Sequence, residues 1–170
     1  AQLSAAEVDG FNTSIVQYQA GITAKIDDKR NAEIALSHQF KSAQYKKYKL
    51  TGIHNTLTAN AHLGAGEIFA KLAAKTSIKT INSPELQLKN IKVNSSGEQS
   101  RALQATHHVF VDGMELVVNH HFSSQAHPFE VIFPVQSILP LNSYINQFAP
   151  LATLTQGEFN GHIHGDINLQ

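Results

Sequence analysis

The chain has 170 residues, no cysteine and no tryptophan, and its thirteen basic residues balance thirteen acidic ones. Zero net charge speaks against nucleic acid as a partner, because that binding rests on a basic surface that neutralises phosphates. The length fits a single domain over residues 1–170, no apolar run approaches a membrane span, and the lack of cysteine excludes disulfides and thiol chemistry.

Leu3-Ser4-Ala5-Ala6-Glu7-Val8 reads as a helix start, with Ser4 as cap, Glu7 closing the capping box and Leu3 stapled onto Val8. Val8, Phe11 and Ile15 continue one helical stripe, so residues 1–21 are expected to form an N-terminal helix that ends at Gly21. Strand alternation takes over with Ile22, Ala24 and Ile26, breaks at the polar turn Asp27-Asp28-Lys29-Arg30-Asn31, and resumes with Ile34, Leu36, His38 and Phe40. His38 points the way of its apolar neighbours, where a histidine is more often a satisfied core residue than a ligand. Lys41, Lys46, Lys47 and Lys49, near Tyr45 and Tyr48, read as a solvated strand edge protected by lysines.

Tyr48–Leu63 forms a long strand whose phase shifts at Gly52, as a bulge would cause. Residues 67–81 suit a helix or a strand, and the β-branched tail Thr76-Ser77-Ile78-Lys79-Thr80-Ile81 decides for strand. After Asn82-Ser83-Pro84 come Leu86 and Leu88, then Ile91 and Val93 in the other phase, and Asn94-Ser95-Ser96-Gly97 is expected to turn the chain.

Leu103 to Phe122 carries the clearest signal. Asp112-Gly113 between two alternating runs predicts a two-residue hairpin. Val111 then faces Met114, Val109 faces Leu116, His107 faces Val118 and Ala105 faces His120. One face of this hairpin is apolar except for His107 and His120, which lie diagonally across the ladder within touching distance. Phe129, Val131, Phe133 and Val135 give another strand, and Leu141, Ile145 and Phe148 a short helix before Pro150. The closing strand puts Phe159, Gly161, Ile163, Gly165, Ile167 and Leu169 on one face, with His162, His164 and Asp166 on the other. About eight or nine short-spaced strands with two helices predict a mainly β protein, an antiparallel barrel over residues 22–170.

His162-Ile163-His164-Gly165-Asp166 has the alternation of metal-ligand runs, but a solvated outer strand face explains it with fewer assumptions. His107 and His120 are the second pair that could take zinc, copper or a haem, with His38 as a third ligand from another strand. The competing reading is a polar handle inside an apolar pocket, and it is preferred here. No nucleophile elbow, phosphate loop or dinucleotide fingerprint occurs, so no enzyme and no cofactor are expected.

With the strands laid out, the chain resembles the YceI-like family of bacterial envelope lipid-binding proteins. The resemblance rests on Lys25-Ile26-Asp27 with Ile34 and His38, on Leu50-Thr51-Gly52, and on Ser77-Ile78-Lys79-Thr80. It continues through Asp112-Gly113, Leu116 to Val118, Pro128 to Val135, and the closing strand from Gly157 to Leu169. Two departures stand out: Ile81-Asn82-Ser83-Pro84 replaces the family's Arg-Asp and His-Leu signature, and the N-terminal helix is additional. What the resemblance implies is a lipocalin-like barrel that carries an isoprenoid or fatty-acid-like chain without catalysis, in the periplasm or secreted. True lipocalins need a Gly-x-Trp signature that a chain without tryptophan lacks.

The expected ligand wall is Leu103, Val109, Val111, Leu116, Val118 and Phe122, with His107 and His120 as polar handles and His38 and Phe40 alongside. The expected partner is a hydrophobic small molecule or lipid, with homodimer formation left open and no membrane-spanning segment. The alternatives are a histidine-based metal or haem protein and a structural module with a filled core.

Overall fold

The computed structural model describes residues 1–10, 13–63, 68–100, 102–123, 127–149 and 151–166. Period-two alternation yields ten strands: β1 (Gln2–Gly10), β2 (Thr13–Ile26), β3 (Asn31–Tyr45), β4 (Tyr48–Leu63), β5 (Ile68–Asn82), β6 (Gln87–Gln99), β7 (Leu103–Val111), β8 (Met114–Phe122), β9 (Pro128–Ser137) and β10 (Glu158–Asp166). Each pairs antiparallel with its neighbour in sequence, so the sheet is one continuous meander. A turn of 3-10 helix at Leu139–Leu141 and the helix α1 (Asn142–Phe148) join β9 to β10.

Two expectations are corrected. The sheet is not a closed barrel: among the described residues β1 pairs only with β2 and β10 only with β9. Alternation specifies which face is apolar but says nothing about curvature, so the pattern alone could not require closure. The N-terminal helix is instead β1 and the start of β2. Glu7 pairs in register with Val16 and its carboxylate accepts a 3.3 Å hydrogen bond from the Ser14 hydroxyl, across the ladder rather than back to Ser4. Phe11, part of the expected helical stripe, lies outside the described residues, as do Ile167 and Leu169 of the closing strand.

Local turn chemistry fixes the hairpins. Asp112 and Gly113 both adopt positive φ (49° and 86°), as a type I′ turn requires, and the ladder beyond them has the register read from the sequence. Lys46 (φ 52°) and Lys47 form the tip between β3 and β4, with Lys46 over the Tyr45 ring and Lys47 over the Tyr48 ring. These lysines therefore mark a hairpin tip between two central strands rather than a sheet edge. At the β2–β3 turn the Asp27 carboxylate accepts hydrogen bonds from the Lys29 and Asn31 backbone N–H groups and from the Asn31 amide, which hold its pKa below the usual carboxylate value.

Registers carry two opposed faces across the sheet. Rows such as Ile22–Leu36–Leu57–Ala74 and Ile34–Ala59–Leu72–Gly97–Ala105 make one face apolar. Lys25, Glu33, Lys71, Lys75, Lys92 and Glu98 stand on the other, where Lys71 and Glu98 meet at 3.5 Å. Among the described residues no second layer covers the sheet. Among the described residues only Ala32, Ile53 and Ile91 are buried hydrophobics. The accessible surface is 11713 Å², against about 8,200 Å² for a compact chain of 18.6 kDa.

One line across the sheet breaks the regular backbone. Gln17 (φ 54°), Gly52 (φ 58°) and Asn90 (φ 52°) are left-handed, and the flanking register pairs place them on one row with Lys41 and Lys79 between them. Each leaves the usual strand conformation at the same level, and this row of left-handed residues is the crease of the sheet's backbone pattern. Ile53 and Ile91, the residues immediately after two of these positions, are 6% exposed. α1 closes the same end: the Tyr144 hydroxyl donates to the Asp112 carboxylate (3.2 Å), and the Gln147 side chain both accepts from and donates to the Gln87 backbone. Burial and the neighbouring Asp112 charge push the Tyr144 hydroxyl up to about 12. Tyr144→Phe should lower stability by about 1 kcal/mol in urea unfolding, the usual net worth of one hydrogen bond.

Candidate functional site: the apolar sheet face

The two histidines read from the hairpin do meet. His107 Nε2 lies 3.1 Å from His120 Nδ1, and the rings stack with centroids 4.8 Å apart. The other nitrogen of His107, Nδ1, bonds the Ser95 hydroxyl on β6 at 2.6 Å. The His120 ring meets Phe122 edge-on, and the Phe122 ring in turn lies 5.3 Å from that of His127. Neutral imidazoles suit this arrangement, since each ring has one donor and one acceptor. Desolvation lowers the pKa of both, and for His107 the neighbouring His120 adds to the effect.

That shift has a consequence for stability. The folded state holds these protons less tightly than the unfolded chain, so the contribution is full above the ordinary value of 6.5 and is lost as the pH falls from there through the lowered folded-state values. The melting temperature should therefore fall between about pH 7 and about pH 5.5, and the His107→Gln, His120→Gln double variant should flatten that part of the curve.

Other expected site residues take distinct positions. Leu103, Val109, Val111, Leu116, Val118 and Phe122 share the face of His107 and His120 by register. Phe40 packs into the row with Ile53 beside the crease. His38 sits on that same face, stacked on Phe40, but on β3, four strands from β7. At about 4.8 Å per strand that is about 19 Å across the sheet, too far for a third ligand to the His107–His120 pair. His162 and His164 lie on the opposite face. His162 Nε2 meets a Glu130 carboxylate oxygen at 2.7 Å, extending a chain of hydrogen bonds from Thr106 through Asn119 to Glu130. Among the described residues no group of three or more His, Asp or Glu is placed to hold a metal ion.

Sequence reasoning missed three polar groups on the apolar face. The Asn55 amide donates to the Thr76 hydroxyl at 2.5 Å, and Ser95 completes the contact to His107. By register, His38, Asn55 and Thr76 stand side by side, and Ser95 and His107 lie on the next row. A diagonal of polar groups thus crosses an otherwise apolar surface, in which Asn55 bonds Thr76 and His107 bonds Ser95 and His120. The signal was present in the alternation, where Asn55, Thr76 and Ser95 occupy apolar-phase positions. The grooves between exposed side chains, of 450 to 860 Å³, lie mostly over the polar face; one of 730 Å³ is lined by Lys71, Ser96, Glu98, Thr106 and Glu130, and is also bordered by Ala105, His120 and Phe129 of the apolar face.

Among the described residues no helix is long and apolar enough to cross a membrane. No family model matches the chain, and neither a curated protein nor a solved structure matches it.

Proposed function

We propose that the protein is a non-catalytic carrier that takes a long-chain amphiphile, such as an isoprenoid or acyl lipid, onto its apolar sheet face, and that it works outside the cytoplasm. The observation that carries this reading is the open face itself. About 3,500 Å² more surface is exposed than a compact chain of this mass would show. Ile22 (45%), Ile34 (41%) and Ile163 (53%) stand exposed on it. Apolar side chains left exposed together on one face mark a binding site in a folded protein. At about 25 cal/mol per Å² of apolar surface, covering about 400 Å² of it supplies about 10 kcal/mol before the costs of ordering are met. An elongated ligand suits a face built of parallel rows better than a compact one does. The polar diagonal gives such a ligand's head somewhere to rest, which a purely apolar face would not. The extracytoplasmic placement and the YceI-like likeness rest on the sequence alone.

Delipidated protein titrated with the uncharged dye Nile red should raise and blue-shift its emission, and added lipid should raise the melting temperature. A bound ligand at a hundred times its Kd stabilises by about 2.7 kcal/mol. A dye that stays dark, with melting unchanged by lipid, defeats the reading.

A further inference from the structure

Among the described residues no charged residue stands on the apolar face between the crease and the far strand ends. By register the face comprises alternate residues from Ala20 to Ile26 in β2, from Ala32 to Phe40 in β3, from Ile53 to Ala61 in β4 and from Ala70 to Ile78 in β5. It continues with Val93, Ser95, Gly97 and Gln99 in β6 and the hairpin face of β7 and β8, and ends on Phe129, Val131, Phe133, Gly161, Ile163 and Gly165. None of these is Lys, Arg, Asp or Glu. The strand lysines and glutamates are sorted onto the opposite face, as Lys71, Lys75, Lys92, Glu33 and Glu98 show. Chance alternation would not clear so many positions of charge in a chain that carries twenty-six charged residues.

The groups that remain for a head are hydroxyl, amide and imidazole. Asn55 and Thr76 bond each other, and Ser95, His107 and His120 form a continuous run of donors and acceptors. Such groups match an alcohol or ester, which both donates and accepts, but offer no counter-charge to a carboxylate, phosphate or ammonium. A charged head brought onto a surface of this kind loses its hydration without gaining an opposite charge.

We propose that the amphiphile has an uncharged, hydrogen-bonding headgroup, an alcohol or glycerol ester, seated on the Ser95–His107–His120 stretch. This rests on the carrier reading above and narrows it to one ligand class. It also predicts that the protein discriminates by headgroup charge and not by sign.

The test is competition against bound Nile red at neutral pH with three ligands of one chain length: palmitoylglycerol, palmitate and hexadecyltrimethylammonium, all below their micellar concentrations. Palmitoylglycerol should displace the dye at a concentration at least about thirtyfold lower than either charged ligand, the cost of an unpaired charge. Ala74 pairs with Leu57 on one side and Ser95 on the other and is only part-buried. Ala74→Lys places a cation beside the polar stretch, so it should improve palmitate selectively and leave hexadecyltrimethylammonium weak. Palmitate competing as well as palmitoylglycerol in the native protein would overturn the headgroup assignment while leaving the carrier reading intact. Unchanged palmitate binding in a folded Ala74→Lys variant would overturn the placement of the head. Dye binding with no displacement by any of the three would overturn both, and failure to bind dye at all would overturn the carrier reading first.

Discussion

A carboxylate placed at Leu57 or Leu72 should abolish amphiphile retention while leaving the sheet folded. Leu57 stands between Leu36 and Ala74, and Leu72 between Ala59 and Gly97, in the middle of the apolar face. Both side chains are part-buried, so an aspartate there keeps access to water and should cost about 1 kcal/mol of stability, the centre of the range for single substitutions. Under a bound alkyl chain the same carboxylate loses that water and has no cation on its face to meet. The affinity should fall by about a hundredfold or more, or about 2.8 kcal/mol at 1.4 kcal/mol per tenfold. Thr58→Asp, one residue along β4 and therefore on the opposite face, should leave binding unchanged. Equal loss in Thr58→Asp would mean that the ligand sits in the grooves of the polar face instead.

Gly52→Ala should be among the most damaging conservative changes in the chain. Gly52 has φ 58°, and a Cβ built there would lie 2.9 Å from Lys79 Cβ, closer than real Cβ contacts come. A left-handed non-glycine residue costs about 1–2 kcal/mol, and the clash with β5 adds to it, so the urea midpoint should drop by the equivalent of about 2–3 kcal/mol. In a sheet with only three buried hydrophobic side chains among its described residues, that is a large share of the total. The converse follows at the other positions of the row. Gln17 is exposed and carries the same strain without a glycine, so Gln17→Gly should raise stability by a few tenths to about 1 kcal/mol. A midpoint that falls in Gln17→Gly as it does in Gly52→Ala would show that the crease is not under backbone strain.

How far the sequence went depended on the range of the forces involved. The β7–β8 hairpin was legible to the register because Asp112-Gly113 sets a type I′ turn by local sterics alone. The short helix before β10 was legible for a similar reason, from the spacing of Leu141, Ile145 and Phe148. Ser4 and Glu7 misled because a capping box is a local rule, and the pairing of β1 with β2 satisfies the same backbone groups by a longer route. Asn94-Ser95-Ser96-Gly97 has turn composition yet lies inside β6. Gly97 is there for space: a Cβ would come 2.9 Å from the Gln104 carbonyl oxygen on β7. The approach of two chosen histidines followed from register, whereas the distance of His38 from them did not, since it depends on how many strands intervene. Closure of the sheet was beyond alternation altogether, because period two assigns faces and leaves curvature free.

On the proposed reading the apolar face is an open seat for an uncharged long-chain lipid. Native mass spectrometry tests it most directly, on protein incubated with a mixed lipid extract and repurified without detergent. The expected spectrum shows protein carrying a retained long-chain alcohol or ester, and the Leu57→Asp variant treated alike shows bare protein. Bare native protein, or lipid retained equally by Leu57→Asp, would contradict it.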